Sequence, residues 1–99
     1  MQVRNPCVYI LASRPNGAIY IGVTSNLQQR VWQHKSDFVK GHTANYQIHD
    51  LVWYEMHDNM ESAITREKRL KKWNRGWKLR LIEDTNPGWK DLYEEIISW

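Results

Sequence analysis

A four-residue turn signal constrains the fold of this chain more than any other feature. Pro15-Asn16-Gly17-Ala18 stands between two strand-like runs, residues 7–13 and 18–24. Asn-Gly between alternating runs is the strongest short-range sign of a β-hairpin, because both turn residues of a two-residue loop must tolerate φ > 0. With Asn16 and Gly17 as that loop, Pro15 faces Ala18 and the register is set. One face then collects Val8, Ile10, Ala12, Ile19, Ile21 and Val23, all apolar. The other collects Tyr9, Leu11, Ser13, Tyr20, Gly22 and Thr24. A loop of three residues would flip one strand and mix the two sets. The clean separation favours the first pairing and puts both tyrosines on one face, diagonal to each other.

Beyond the hairpin, Ser25 or Asn26 can cap a helix running to about Phe38. Leu27, Val31 and Phe38 mark its buried side, with Arg30 and His34 in a neighbouring row four residues apart. Gly41 to Gln47 reads as a polar loop and Leu51 to Met56 as a third strand. Asp58 or Asn59 caps the next helix. Gly76 is expected to interrupt it, and a further helical stretch runs to about Glu83. Asn86-Pro87 has the form of an N-cap followed by proline at the first helical position. The last helix should then bury Trp89, Leu92, Tyr93 and Ile96. The order β-β-α-β-α-α-α describes one α+β domain over residues 1–99, a small three-stranded antiparallel sheet flanked by helices.

The helix after the third strand carries an anomaly. Met60, Ala63, Ile64, Glu67, Leu70 and Lys71 follow i, i+3, i+4, i+7 spacing, so a carboxylate falls on the stripe meant for the core. A lone buried charge is costly and calls for a partner. Here an arginine or a metal ion would serve. Residues 66–80 hold eight bases and one acid, a local charge of +7, while the rest of the chain sums to −4. Such a patch, interleaved with Trp73 and Trp77, suits a polyanion such as nucleic acid.

Other classes recede. At 99 residues the chain can bury one core but not two. Its 41% hydrophobic and 25% charged residues are ordinary for a globular protein. No segment approaches the apolar length of a transmembrane helix, and Met1 to Arg14 lacks the pattern of a secretory signal, so a cytosolic protein is expected. Cys7 is the lone cysteine, which excludes an intrachain disulfide and Cys-rich zinc sites. His42, His49 and His57 form no metal set and read as loop or strand-edge residues.

The tyrosines and Glu67 carry a resemblance to the GIY-YIG endonuclease superfamily, in particular its short single-domain bacterial members. Tyr20-Ile21-Gly22 matches the second half of the signature, and Cys7-Val8-Tyr9 stands where the first half belongs. Arg30 follows Tyr20 by ten residues, and His34 follows four later. Glu67 lies on the later helix where that family places its metal-binding glutamate. The segments 51–55, 66–73 and 86–89 look like the small bacterial subgroup, so the resemblance spans nearly the whole chain.

The resemblance implies phosphodiester hydrolysis in DNA with one divalent metal ion, Mg2+ or Mn2+, held by Glu67. Metal ions of this kind polarise phosphate oxygens and stabilise the departing oxygen. Arg30 would bind the scissile phosphate through its fork. Tyr9 would take the proton of the attacking water, although a phenol near its usual pKa of about 10 needs help to do so. Tyr20 would bind phosphate or position the water. His34 would accept a tyrosine proton or serve as the base itself. Lys71, Lys72, Trp73 and Arg75 would contact DNA. Asn86 is either a site residue, as a late asparagine often is in the superfamily, or only a helix cap. Two departures stand out: Val23 occupies a place where many members carry lysine, and Cys7 replaces a glycine.

Six tryptophans bear on the form of the substrate. Trp53 and Trp89 should be core. Any of Trp32, Trp73 and Trp77 left exposed beside the site would offer a stacking face to unpaired bases, at about 1–3 kcal/mol each. Single-stranded or structured DNA is therefore favoured slightly over duplex. Two rival readings use the same residues: a non-catalytic nucleic-acid-binding module on this fold, and a domain whose basic helix meets an acidic protein.

Overall fold

The computed structural model describes residues 5–36 and 47–99. Two strands, β1 (Cys7–Ala12) and β2 (Ile19–Thr24), form the hairpin, and helix α1 (Leu27–Lys35) follows. Next come β3 (Asp50–Met56), α2 (Met60–Lys72), α3 (Arg75–Thr85) and a single-turn α4 (Tyr93–Ile96). The expected order of elements is the observed one. The sheet is antiparallel in the order β2-β1-β3, so β1 is central and all six of its residues are buried.

The hairpin pairs in a different register from the two-residue loop. Cys7 lies opposite Thr24 and Ala12 opposite Ile19, which leaves a four-residue turn closed by Gly17 N–H donating to the Arg14 carbonyl at 2.9 Å. Only Asn16 adopts positive φ, at 57°. Pro15 before it supplies the fixed φ that suits the first corner of a type II turn, and its missing N–H costs the strand ladder nothing there. The slip is two residues, an even number, so both faces keep their expected members.

Each face meets its own helical layer. Val8, Ile10 and Ile21 pack with Ala63 and Leu70 of α2 and Ile82 of α3. Tyr9, Leu11 and Leu51 pack with Leu27 and Val31 of α1 and Ile96 of α4. Trp53 and Trp89 belong to the first layer and are buried, as expected. No helix among the described residues is long and apolar enough to cross a membrane.

Caps decide where the helices begin. Asn26 Oδ1 accepts from Gln29 N–H, Asn59 Oδ1 from Ser62 N–H and Asn74 Oδ1 from Trp77 N–H. The break between α2 and α3 therefore falls at Trp73-Asn74, and Gly76 sits inside α3, a correction to the expected interruption. Trp73 closes the one helix and the Asn74 side chain starts the other, so the glycine is not needed for the break. Asn86 also differs from expectation. It closes the C-terminus of α3, and Pro87 and Gly88 form a turn in which Trp89 N–H donates to Asn86 O at 3.0 Å. The final helix consequently begins only at Tyr93. The described part of α1 ends at Lys35 with Ser36 as its cap; Phe38, His42 and most of the 41–47 loop lie outside the described residues.

Candidate active site

Tyr9 comes from the central strand, Tyr20 from the edge strand β2, and Arg30 and His34 from α1. Tyr9 faces Gly22 across the ladder, and Tyr20 faces Leu11. The phenol of Tyr9 lies across Gly22: a Cβ there would stand 2.5 Å from Tyr9 Cζ and from its oxygen. The glycine of the second motif thus serves as clearance for the tyrosine of the first. A glycine inside a strand is the sequence signal for such a close approach, but its beneficiary emerges only from the register.

On α1 the buried residues are Leu27, Val31 and His34, spaced i, i+4, i+7. His34 lies on the apolar stripe itself, 1% exposed, and not in the neighbouring row expected for it. That brings its Nε2 to 3.2 Å from the Tyr9 oxygen. The rings of Tyr9 and Tyr20 are 6.3 Å apart, those of Tyr9 and His34 6.0 Å, and those of Tyr20 and His34 5.3 Å. Arg30 is half-buried next to them and donates to Gln33 Oε1 at 3.3 Å.

The electrostatics of the cluster follow from its burial. Loss of water pushes the Tyr9 phenol well above its ordinary pKa of 10, and the neighbouring Arg30 guanidinium only partly offsets this. Burial also lowers His34, to about 4, with electrostatic repulsion from Arg30 and His49 adding to the effect. At neutral pH the pair is a neutral phenol beside a neutral imidazole, which can accept the phenolic proton. The influence of His49 was missed in the sequence, since only the fold brings it near His34. Cys7 is buried at the end of β1 and its thiol is raised to about 12, chiefly by desolvation, so it stays protonated.

Glu67 is placed differently. Its stripe is narrower than expected: Ala63 and Leu70 are buried, but Ile64 is 38% exposed and Lys71 lies outside. The carboxylate is 14% exposed and pairs at 3.3 Å with Lys71, a partner the sequence reading did not weigh. Helix α2 packs over β2 and β1 on the Ile10–Ile21 face, opposite the face bearing the tyrosines. The sheet therefore stands between Glu67 and the tyrosine cluster. The structure brings four of the five candidate catalytic residues together and sets the fifth on the opposite layer.

As a cation ligand, Glu67 offers hard carboxylate oxygens shielded from bulk water, with a half-exposed ammonium as its ion-pair partner. That suits Mg2+ or Mn2+, which take oxygen donors and keep several waters. Among the described residues no group of three or more His, Cys, Asp and Glu can hold a metal. The remaining ligands would be waters and substrate oxygens.

The expected DNA contacts divide. Lys71 and Lys72 are exposed. Trp73 is half-buried, standing edge-to-face with the exposed Trp77, and Arg66 lies 5.4 Å over its ring. Arg75 is committed to the hairpin, donating to the carbonyls of Asn16 and Gly17 at 2.9 and 2.7 Å. Asn86 is buried with both amide hydrogens engaged: Nδ2 donates to Val52 O and Lys90 O, and Oδ1 accepts from Lys90 N–H. Val52 is the extra residue of a β-bulge, since Ile10 pairs with Trp53 and Leu11 with Leu51. The asparagine thus satisfies a carbonyl that the ladder leaves open, which leaves no amide donor for substrate. His57 is likewise more than a strand-edge residue, bridging Glu55 Oε1 at 2.7 Å and Ser62 Oγ at 3.0 Å.

Comparison with known proteins bears on this arrangement. The family model described as the GIY-YIG catalytic domain matches residues 5–80. The chain belongs to the GIY-YIG family. That family is one of nucleases, so the tyrosine cluster lies in a catalytic domain. Relatives include a UPF0213 protein of Clostridium perfringens, 32% identical over 90% of this chain and 95% of its own. A UPF0213 protein of Syntrophus aciditrophicus is 35% identical over 81% of this chain and 91% of its own. The solution NMR structure of a UPF0213 protein from Bacillus halodurans superposes with a TM-score of 0.55 at 25% identity, covering 88% and 92% of the two chains. The three-stranded antiparallel sheet with its flanking helices is the shared fold.

Proposed function

We propose that this GIY-YIG protein is a metal-dependent, cytosolic DNA endonuclease whose reaction centre is the cluster of Tyr9, Tyr20, Arg30 and His34. The observation that carries the reading is the 3.2 Å contact between the Tyr9 oxygen and His34 Nε2, with the Arg30 guanidinium near enough to favour the phenolate. Its high pKa makes Tyr9 a poor base alone. Coupled to a neutral His34, it can take a proton from water while passing its own to Nε2. Arg30 binds the scissile phosphate and offsets the charge that grows on it. Tyr20, less buried than Tyr9, orients the water or a phosphate oxygen. A divalent ion bound by Glu67 would supply charge stabilisation at the phosphate and the leaving oxygen. Single-stranded or structured DNA is the favoured substrate, because Trp32 is 47% and Trp77 54% exposed and duplex DNA hides the base faces they would stack on.

The test is cleavage of a random oligonucleotide pool with magnesium or manganese. Cleavage by the wild type that is lost in Glu67→Ala, with DNA binding retained, supports the reading. DNA binding without cleavage under any divalent metal would favour a non-catalytic module. A matched pair of single-stranded and duplex oligonucleotides decides strandedness, and faster duplex cleavage would overturn the preference.

A further inference from the structure

The indoles of Trp73 and Trp77 stand at 88° with ring centres 5.9 Å apart, at the junction of α2 and α3. Together with Arg80, Leu81 and Asp84 they line an open groove of about 290 Å³. Its chemistry is unlike that of the tyrosine cluster. Leu81 packs on the core and makes an apolar floor, Trp77 presents an exposed ring, and Arg80 and Asp84 add one charge of each sign. Around it lies the +7 segment, with Lys71 and Lys72 exposed. A polyanion drawn there meets an aromatic slot with room for one planar ring system.

We propose that this groove is a subsite for a single unpaired nucleobase of the DNA substrate, with guanine preferred. The proposal rests on the reading of the chain as a DNA endonuclease and adds where and how the strand is gripped outside the reaction centre. A base laid on one indole meets the other edge-on, a geometry that aromatic rings favour. Arg80 can hold a flanking phosphate. The Asp84 carboxylate, acceptor-only with two oxygens, matches a base edge bearing two adjacent donors. Among the four bases only guanine has such an edge, its N1–H and N2 amine, and that edge is free only when the base is unpaired. The Arg75 bonds to Asn16 and Gly17 tie the start of α3 to the hairpin that bears both tyrosines. A base seated here would therefore lie at a fixed offset from the reaction centre.

Binding is measured by anisotropy of labelled single strands in EDTA, where no cleavage can occur. The probes are an all-thymine strand, the same strand with one central guanine, and the same with hypoxanthine, which lacks the N2 amine. The guanine strand is expected to bind about tenfold more tightly than the other two. Trp77→Ala should weaken binding of the guanine strand about tenfold, and Asp84→Asn should bring the guanine-to-thymine ratio to about one. Circular dichroism confirms that the variants are folded. Equal affinity of wild type for all three strands, or wild-type affinities in Trp77→Ala, would overturn the proposal. A metal-dependent cleavage assay separates the two readings. Base-selective binding without cleavage removes the nuclease reading and leaves the subsite, and cleavage without base selectivity does the reverse.

Discussion

Tyr9 and His34 form the pair on which the proposed chemistry turns, and each is tuned by burial. If the Tyr9 hydroxyl relays the proton, Tyr9→Phe should lower the cleavage rate by about 10²-fold or more while leaving the fold intact, as single-turnover cleavage and thermal melting can check. His34 also makes a prediction for stability. Its folded pKa of about 4 lies below the 6.5 of an exposed histidine, so between those values the unfolded chain holds more of this proton than the native state. Stability from this group is therefore complete above pH 6.5 and is lost as the pH falls toward 4, by on the order of 2–3 kcal/mol. Denaturant titrations of wild type and His34→Gln across that range should differ by this component, and superimposable pH profiles would contradict it. At this scale the sequence was partly legible. Tyr9, Tyr20 and Arg30 stood out by motif and spacing, but His34 reads as a residue beside the stripe and is in fact fully buried with it. The sequence pattern does not distinguish a buried neutral histidine from an exposed one.

Among elements, the hairpin shows what sequence can and cannot settle. Its faces were readable because alternation survives any even slip, whereas the register depended on which residue took positive φ. Proline before Asn16 moved that role to a single position. The same register sets Gly22 beneath the Tyr9 ring, so Gly22→Ala must displace a fully buried side chain. The expected cost is about 1–3 kcal/mol from overpacking, read by chemical denaturation, with a larger fractional loss of activity than of stability. Asn86 was the least legible residue. An asparagine before proline has the form of an N-cap, and only the bulge at Val52 reveals the carbonyl it serves.

For the whole molecule, two features dominate: helices on both faces of a central buried strand, and a basic segment along one side. The layering was readable from the two apolar faces. The position of Glu67 was not, because helical periodicity says which side of a helix is inward but not which face of the sheet receives it. The basic segment predicts DNA affinity that falls steeply with salt. Replacing both Lys71 and Lys72 by alanine should shrink the slope of log K against log salt by about 1–2 if each lysine neutralises a phosphate. An unchanged slope would place the DNA elsewhere.

The account stands on the tyrosine cluster and the Glu67 carboxylate acting together on one phosphate, although they belong to opposite layers of the sheet. Metal-titrated cleavage of a single defined oligonucleotide by wild type, Tyr9→Phe and Glu67→Ala tests this most directly. The account predicts magnesium- or manganese-dependent cleavage by wild type, a large rate loss at any metal concentration in Tyr9→Phe, and no metal-dependent cleavage in Glu67→Ala. A Glu67→Ala protein that cleaves with the wild-type metal dependence would contradict it.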